Sequence, residues 1–258
     1  MKSVLRPFAL SWLIALLLAA LSLVGLLFPS AIYPSADLRR AFLANDVVNL
    51  LIGLPVLVVS MLSARRGGWV GRLFWLGALL YVIYNAIAYA VALFPSWIFL
   101  SHAALLILSL MALLGVFTSL DFPDIQRRLT GRIPERLTAG VLVVLGTLFF
   151  LRSIGQVAGG AAPLSPEFAV AVADLLVTPV WVLGGVLLWR RRAAGYALGA
   201  GLLFQASLLF VGLLIFFLLQ PLLLGEPFPV EDFVVIFGMG LVCFIPFGLF
   251  VRGMLRSR

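Results

Sequence analysis

A small set of ionisable and amide side chains interrupts the long apolar runs of this chain. Carboxylates, amides and a guanidinium group can bind protons, ions or small polar molecules, whereas an ionisable residue within a membrane helix costs roughly 2.5–3.5 kcal/mol on insertion scales and usually faces protein or water. We expect these side chains to line a shared polar cavity as ligand- or ion-binding candidates. They are Asp46, Asn49, Asn85, Arg152, Asp174 and Gln205.

The first aspartate lies in the stretch "NDVVNLLIGLP" (45–55), at the start of an apolar run. One explanation is local, because Asp is a good N-cap and its negative charge suits a helix N-terminus. The other explanation places Asp46 in the cavity, with Pro55 freeing a carbonyl or bending the helix beneath it. Both explanations stay open from the sequence.

The second aspartate cannot be a cap. Ser165 is the better N-cap for its helix, with Pro166 at the first helical position. Asp174 therefore lies about two turns inside the helix and needs a partner, and Arg152 is the intramembrane cation at similar depth. The pair is either structural or a functional site in which Asp174 and Asp46 respond to protons or cations and Arg152 is the counter-charge.

Other polar residues of the apolar runs have plainer explanations. We expect His102 to be a satisfied polar residue, and the tyrosines at 81, 84 and 89 to serve packing and the membrane interface. Five glycines are expected to allow close helix contact: Gly184, Gly185, Gly195, Gly199 and Gly201.

Diagnostic catalytic motifs are missing. The chain has no HExxH and no P-loop, and its single cysteine and single histidine build neither a Cys-rich metal site nor a bis-histidine haem site. We therefore predict no catalytic residue, no metal and no cofactor. Asp46 and Asp174 could form an intramembrane aspartate pair, but neither has the sequence setting of the two-aspartate proteases.

The composition of the chain is that of a membrane protein. Of the 258 residues, 64% are hydrophobic and 11% charged, whereas soluble domains have about 25% charged residues. One helical span takes about 20 apolar residues. The pattern predicts an all-α polytopic membrane protein, a bundle of eight transmembrane helices. The predicted spans are 8–28, 46–63, 72–94, 97–118, 137–157, 167–189, 194–220 and 230–251.

Basic residues orient the bundle. Fifteen of the 18 lie before span one, after span eight or in every second loop, while Arg39, Arg40 and Arg152 lie on the other side. The positive-inside rule then puts both termini in the cytoplasm of a plasma membrane protein. The charge of +8 thus reflects topology rather than nucleic-acid binding. A cleaved signal peptide at 1–28 is the alternative, although its apolar core is longer than the 7–15 residues typical of such peptides.

Two loops carry amphipathic patterns. In the cytoplasmic loop, Ile125 and Leu129 would face acyl chains while Arg127 and Arg128 meet anionic lipid head groups; a solvated basic linker is the alternative. In the outer loop 34–45, Ser35 is expected to cap a short helix lying on the membrane surface.

The chain is treated as one transmembrane domain, 1–258. Spans two and six both run from an aspartate through a proline to arginines, which suggests two parallel four-helix repeats, 1–120 and 137–258, joined by the basic loop 120–136. Convergence is the alternative, because every inward-running span should end in arginines.

The leading hypothesis for function is a transporter-like protein, or one that binds a small ligand or ion, with a polar cavity facing outward. The alternatives are a structural or accessory membrane subunit whose polar residues satisfy one another, and an intramembrane enzyme using the two aspartates. The lipid bilayer is the expected partner, and a homo-oligomer stays open.

Overall fold

The computed structural model of the protein describes residues 5–225 and 227–256. This part of the chain contains helices and no strand, and eight of its helical segments are long and apolar enough to cross a membrane. The prediction of an all-α polytopic bundle with eight spans is therefore confirmed. Lys2 and Arg258, which contribute to the predicted charge bias, lie outside the described residues.

The described helices follow one another along the chain with short connections. Their bounds are α1 (Leu5–Leu27), α2 (Pro29–Ile32), α3 (Ala36–Val48), a π-helical turn (Asn49–Gly53), α4 (Leu54–Arg65), α5 (Trp69–Ala92), α6 (Trp97–Thr118), α7 (Phe122–Leu129), α8 (Glu135–Ala158), α9 (Pro166–Trp189), α10 (Ala193–Leu224) and α11 (Val230–Leu255).

The second span is longer than its apolar pattern predicts. Ser35 caps α3, and its Oγ accepts a hydrogen bond from the Leu38 amide at 3.1 Å, as expected. The helix then continues without a break into α4, so Ala36–Arg65 is one span of 30 residues. The expected surface helix is thus the first part of the span, with Leu38 and Phe42 buried in the protein. Asp46 lies inside this helix, and its interpretation as an N-cap is wrong.

The helix widens into the π-helical turn just before Pro55. Proline has no N–H, so the carbonyl four residues earlier loses its usual helical partner. The backbone responds with the Leu54 amide donating to the Asn49 carbonyl, five residues back. Single π-helical turns of this kind are frequent at functional sites.

Helix α5 is the centre of the bundle. Of its apolar stretch, 83% is buried in the protein, against 22–44% for the other seven spans. It packs against α4, α6, α9 and α10, so its polar side chains can reach several neighbouring helices. The peripheral helices α6 and α11 expose leucines, valines and isoleucines instead, which is the surface that a lipid bilayer covers. The internal repeat and its two halves stay a prediction.

The basic loop before α8 is docked on the bundle. Its short helix α7 forms as expected, but Ile125 and Leu129 are buried in the protein core rather than facing acyl chains. Gln126 Nε2 donates to the Arg191 carbonyl at 2.8 Å, and Arg132 Nη1 donates to the Arg256 carbonyl at 3.3 Å. These bonds join several basic segments at one end of the bundle, which we call the arginine-rich end (65–72, 119–136, 190–192 and 252–256).

A buried carboxylate holds that docked loop in place. Glu135 Oε2 accepts a hydrogen bond from Arg191 Nε at 2.8 Å, and its Oε1 accepts one from the Tyr196 hydroxyl at 2.7 Å. On the exposed side of α7, hydrogen bonds from Arg128 and then Arg127 lower the pKa of Asp124 below its usual range. The interpretation of this segment as a solvated linker is therefore wrong.

Glycines allow the helices to approach closely, as predicted for the five in α9 and α10. A Cβ on Gly185 would lie 2.9 Å from the Ala139 carbonyl oxygen of α8, and one on Gly201 would lie 2.7 Å from Leu76 of α5. On α8 itself, a Cβ on Gly146 would lie 3.1 Å from the Thr178 carbonyl oxygen and from Trp181. Close packing at glycines of this kind favours helix association in lipid, where the hydrophobic effect does not hold helices together.

We predict that Gly146→Leu destabilises the protein, because a larger side chain must push α9 away. Overpacking typically costs about 1–3 kcal/mol, and each kcal/mol lowers the melting temperature by roughly 2–4 °C for a chain of this size. The matched control is Gly155→Leu on the same helix, where a Cβ meets nothing within 4 Å. Thermal unfolding in detergent measures both variants, and equal melting temperatures would contradict the close packing of α8 and α9.

Candidate ligand-binding cavity

A cavity of about 310 Å³ lies between α3, α5, α8, α9 and α10. Its wall comes mostly from the first half of the span Ala36–Arg65 and of α9, and from the second half of α5, α8 and α10. The cavity therefore lies in the half of the bundle away from the arginine-rich end. The polar residues that line it are Asn45, Tyr81, Tyr84, Asn85, Arg152 and Asp174. Its aromatic walls also include Phe42, Phe149, Trp181, Phe210 and Phe216.

Asp174 is held from two neighbouring helices. Its Oδ1 accepts a hydrogen bond from the Tyr84 hydroxyl of α5 at 2.9 Å, and its Oδ2 accepts one from Ser153 Oγ of α8 at 3.3 Å. Arg152 Nη1 lies 3.9 Å from the same Oδ2. The expected Arg152–Asp174 ion pair is present, but its separation exceeds a hydrogen bond. The aspartate side chain is 8% exposed and the arginine side chain 50%.

Two asparagines form the wall opposite. Asn45 Nδ2 donates to Asn85 Oδ1 at 3.0 Å and to the Tyr89 hydroxyl oxygen at 3.1 Å. Asn85 Nδ2 donates to the Tyr81 carbonyl one turn earlier on α5, also at 3.0 Å. These bonds fix both amides and join α3 to α5 along the cavity.

Asp46 lies behind this wall and is almost fully buried. Its Oδ2 accepts from the Tyr33 hydroxyl at 2.6 Å and its Oδ1 from the Tyr89 hydroxyl at 2.8 Å, and Ser22 adds a third hydrogen bond. Gly25 of α1 leaves the space for this carboxylate, since a Cβ there would overlap it. Burial and the nearby Asp46 charge raise the pKa of Tyr33, so this tyrosine stays a neutral donor.

Asn49 and Gln205 are also buried and hydrogen-bonded. Asn49 Oδ1 accepts from the Tyr81 hydroxyl at 3.2 Å, in the first turn of the π-helical segment. Gln205 Oε1 accepts from the Trp181 indole at 3.1 Å, and its Nε2 donates to the Leu80 carbonyl at 3.2 Å. Asn49 therefore joins the π-helical turn to α5, and Gln205 joins α10 to both α9 and α5.

The six predicted residues thus fall into two groups. Asn85, Arg152 and Asp174 line the cavity, whereas Asp46, Asn49 and Gln205 lie outside its lining. A chain of hydrogen bonds still connects Asp46 to the wall, from Asn85 through Asn45 and Tyr89.

The tyrosines of α5, expected to serve packing and the membrane interface, also donate hydrogen bonds to polar residues of neighbouring helices. Tyr81, Asn85 and Tyr89 are spaced four residues apart, so they form one polar face of a membrane helix, and Tyr84 lies beside it. This four-residue spacing is the feature of the sequence that indicates a polar face on α5. Tyr33 and Ser153 carried no such signal, because each lies alone on its own segment. His102 is a satisfied side chain as expected, with Nδ1 bonded to the Ile98 carbonyl at 3.1 Å and its ring stacked on Tyr89.

No protein-family model, no curated protein and no solved structure matches the chain. Within residues 5–225 and 227–256, no group of three or more His, Cys, Asp or Glu side chains is placed to hold a metal ion. The chemistry of the cavity therefore follows from its own residues and their contacts.

We predict that Tyr33→Phe destabilises the protein by roughly 1–3 kcal/mol, because it removes one donor from a buried carboxylate. In the Asp46→Ala background the same substitution should cost much less, since the hydroxyl no longer has this partner. Denaturation of the four proteins in detergent gives the coupling energy of the pair. Equal costs in both backgrounds would show that the hydrogen bond does not stabilise the fold.

Proposed function

We propose that this integral membrane protein binds a small ligand in the cavity, as a transporter or a ligand-binding protein whose cavity opens to the outside. The observation that supports it is the placement of a charged side chain, the half-exposed Arg152, in a cavity with largely aromatic walls. Ligand sites commonly measure 300–1,000 Å³ and combine apolar walls with a few fixed polar groups. The volume of about 310 Å³ suits a small molecule.

The cavity residues take different roles in this proposal. Arg152 is the charged contact for the ligand, and Asp174 orients it. Asn45 and Asn85 supply fixed polar edges, and the aromatic rings pack on the rest of the molecule. We assign Asp46, Asn49 and Gln205 to the support of the wall, because their partners lie within the protein.

The structural alternative explains only part of this arrangement. It suits the three supporting residues, whose polar atoms bond to neighbouring helices. It accounts less well for Arg152, because an ion pair at 3.9 Å with a half-exposed arginine contributes only about 0–1 kcal/mol to stability. A charged group in the cavity wall that adds so little to stability is better explained by binding.

The enzyme alternative requires two aspartates at one reaction site. Asp46 is bonded by Tyr33 and Tyr89, whereas Asp174 is bonded by Tyr84 and Ser153. Only Asp174 lines the cavity. The contacts therefore favour binding over a paired-aspartate mechanism.

The orientation of the cavity rests on the distribution of charge. With both termini in the cytoplasm of a plasma membrane protein, the arginine-rich end meets the anionic lipid head groups of the inner leaflet. The cavity half then faces outward, and a ligand enters it from the outer side of the membrane.

We predict that water-soluble reagents reach the cavity from outside. In a Cys243→Ala background, Ala88→Cys on the cavity wall should react with a membrane-impermeant thiol reagent added to intact cells. Ala86→Cys is the matched control, since it lies two residues earlier on α5, is as buried as Ala88 (1% against 5% exposed) and does not line the cavity. Equal or absent labelling of the two variants would argue against an open, wet cavity.

The orientation itself makes a second prediction. In the same background, Ala162→Cys, in the loop between α8 and α9, should be labelled on intact cells by the impermeant reagent. Thr130→Cys, in the loop between α7 and α8, should be labelled only after the cells are permeabilised. Both positions are exposed, so access depends on the side of the membrane. The reverse pattern would invert the topology and the proposed direction of the cavity.

A further inference from the structure

We propose that the ligand is a small organic anion, a carboxylate with an apolar or aromatic body, bound through Arg152. This proposal rests on the ligand-binding function proposed above and specifies its chemistry. It follows from which of the two cavity charges still has hydrogen-bonding capacity.

Of the two charged cavity residues, Arg152 is the one with unused hydrogen-bond donors. A guanidinium carries five N–H donors, and within the described residues Asp174 is the one partner of the Arg152 side chain, at 3.9 Å. The carboxylate of Asp174, in contrast, is engaged at both oxygens. Its Oδ1 holds the Tyr84 hydroxyl and its Oδ2 faces Ser153 and Arg152.

Exposure points in the same direction. The Arg152 side chain is 50% exposed and the Asp174 side chain only 8%. A cationic ligand would have to displace Tyr84 or Ser153 to reach the aspartate, and it would then lie beside the arginine. A carboxylate can approach the open side of Arg152, where two parallel N–H···O bonds match the geometry of the guanidinium fork.

The rest of the ligand follows from the walls. Phe149, Trp181, Phe210 and Phe216 give the cavity an aromatic lining, and burying an apolar group against it is favourable. The amides of Asn45 and Asn85 are bonded to each other and carry no charge, so they supply polar edges but no counter-charge for a second charged group. The volume of about 310 Å³ suits a body of about one ring.

Three probes of the same shape test the charge requirement. They are 3-phenylpropionate, 3-phenylpropylamine and the neutral 3-phenylpropanol, titrated calorimetrically into the full-length protein in lipid nanodiscs, with empty nanodiscs as the blank. We expect the carboxylate to bind and the amine not to bind. We expect the alcohol to bind at least tenfold more weakly than the acid, because it lacks the charge.

Variants locate the binding. Arg152→Gln should weaken carboxylate binding about 10- to 100-fold, which corresponds to the loss of charge-assisted hydrogen bonds. Arg152→Lys should bind the carboxylate with an affinity between those of the unsubstituted protein and Arg152→Gln, because lysine keeps the positive charge but loses the two parallel N–H donors of the guanidinium. Arg39→Gln is the matched control, since it removes a positive charge from the same half of the bundle without altering the cavity lining, and binding should be unchanged.

The outcomes separate the two proposals. Binding of the amine but not the acid overturns the ligand class and leaves the binding function in place. Carboxylate binding that Arg152→Gln does not weaken also overturns the proposal, because the anion then lies elsewhere. If no probe binds while Ala88→Cys is labelled from outside, the ligand class is wrong and the cavity stands. If no probe binds and Ala88→Cys is unlabelled, the proposed function fails with it.

Discussion

Polar side chains buried among membrane helices must find their hydrogen-bond partners within the protein, because lipid offers none. This constraint organises the half of the bundle that holds the cavity, and the central helix α5 meets it. Tyr81, Tyr84 and Tyr89 extend from α5 to Asn49, Asp174 and Asp46 on the neighbouring helices. Tyrosine suits the task, since its ring packs in an apolar core while its hydroxyl reaches a polar group.

The two buried aspartates differ in how fully their surroundings satisfy the polar groups beside them, and the cavity lies where one charged group is not fully satisfied. Around Asp46 the donors of Tyr33, Tyr89 and Ser22 satisfy the carboxylate, and no space is left beside Gly25. The carboxylate of Asp174 is likewise hydrogen-bonded, by Tyr84 and Ser153, but the guanidinium of Arg152 beside it is half exposed. The two members of this ion pair thus differ: the carboxylate is buried and hydrogen-bonded, whereas the guanidinium is half exposed at the cavity wall.

The arginine-rich end uses charge in a different way. Glu135 is buried between Arg191 and Tyr196, both at hydrogen-bond distance, so the loop before α8 is fixed to the α9–α10 connection. Arg72 donates to the Ser119 carbonyl at 3.1 Å and ties α5 to the end of α6. At this end, charged side chains hold the loops against the bundle. In the other half, the charged side chain of Arg152 lines the cavity and is half exposed.

The sequence by itself determined the class of protein and the number of spans. Hydropathy is a property that each segment carries locally, so the runs of apolar residues predict membrane helices without knowledge of their neighbours. The same local reasoning identified the caps Ser35 and Ser165 and the position of Asp174 inside its helix. Only the tertiary structure decided that Asp46 lies within a continuous helix, that Ile125 packs inward, and that Tyr84 rather than Arg152 is the close partner of Asp174. Those outcomes depend on how each helix is rotated about its axis and which helix it meets, and these relations arise between segments that are distant in the chain.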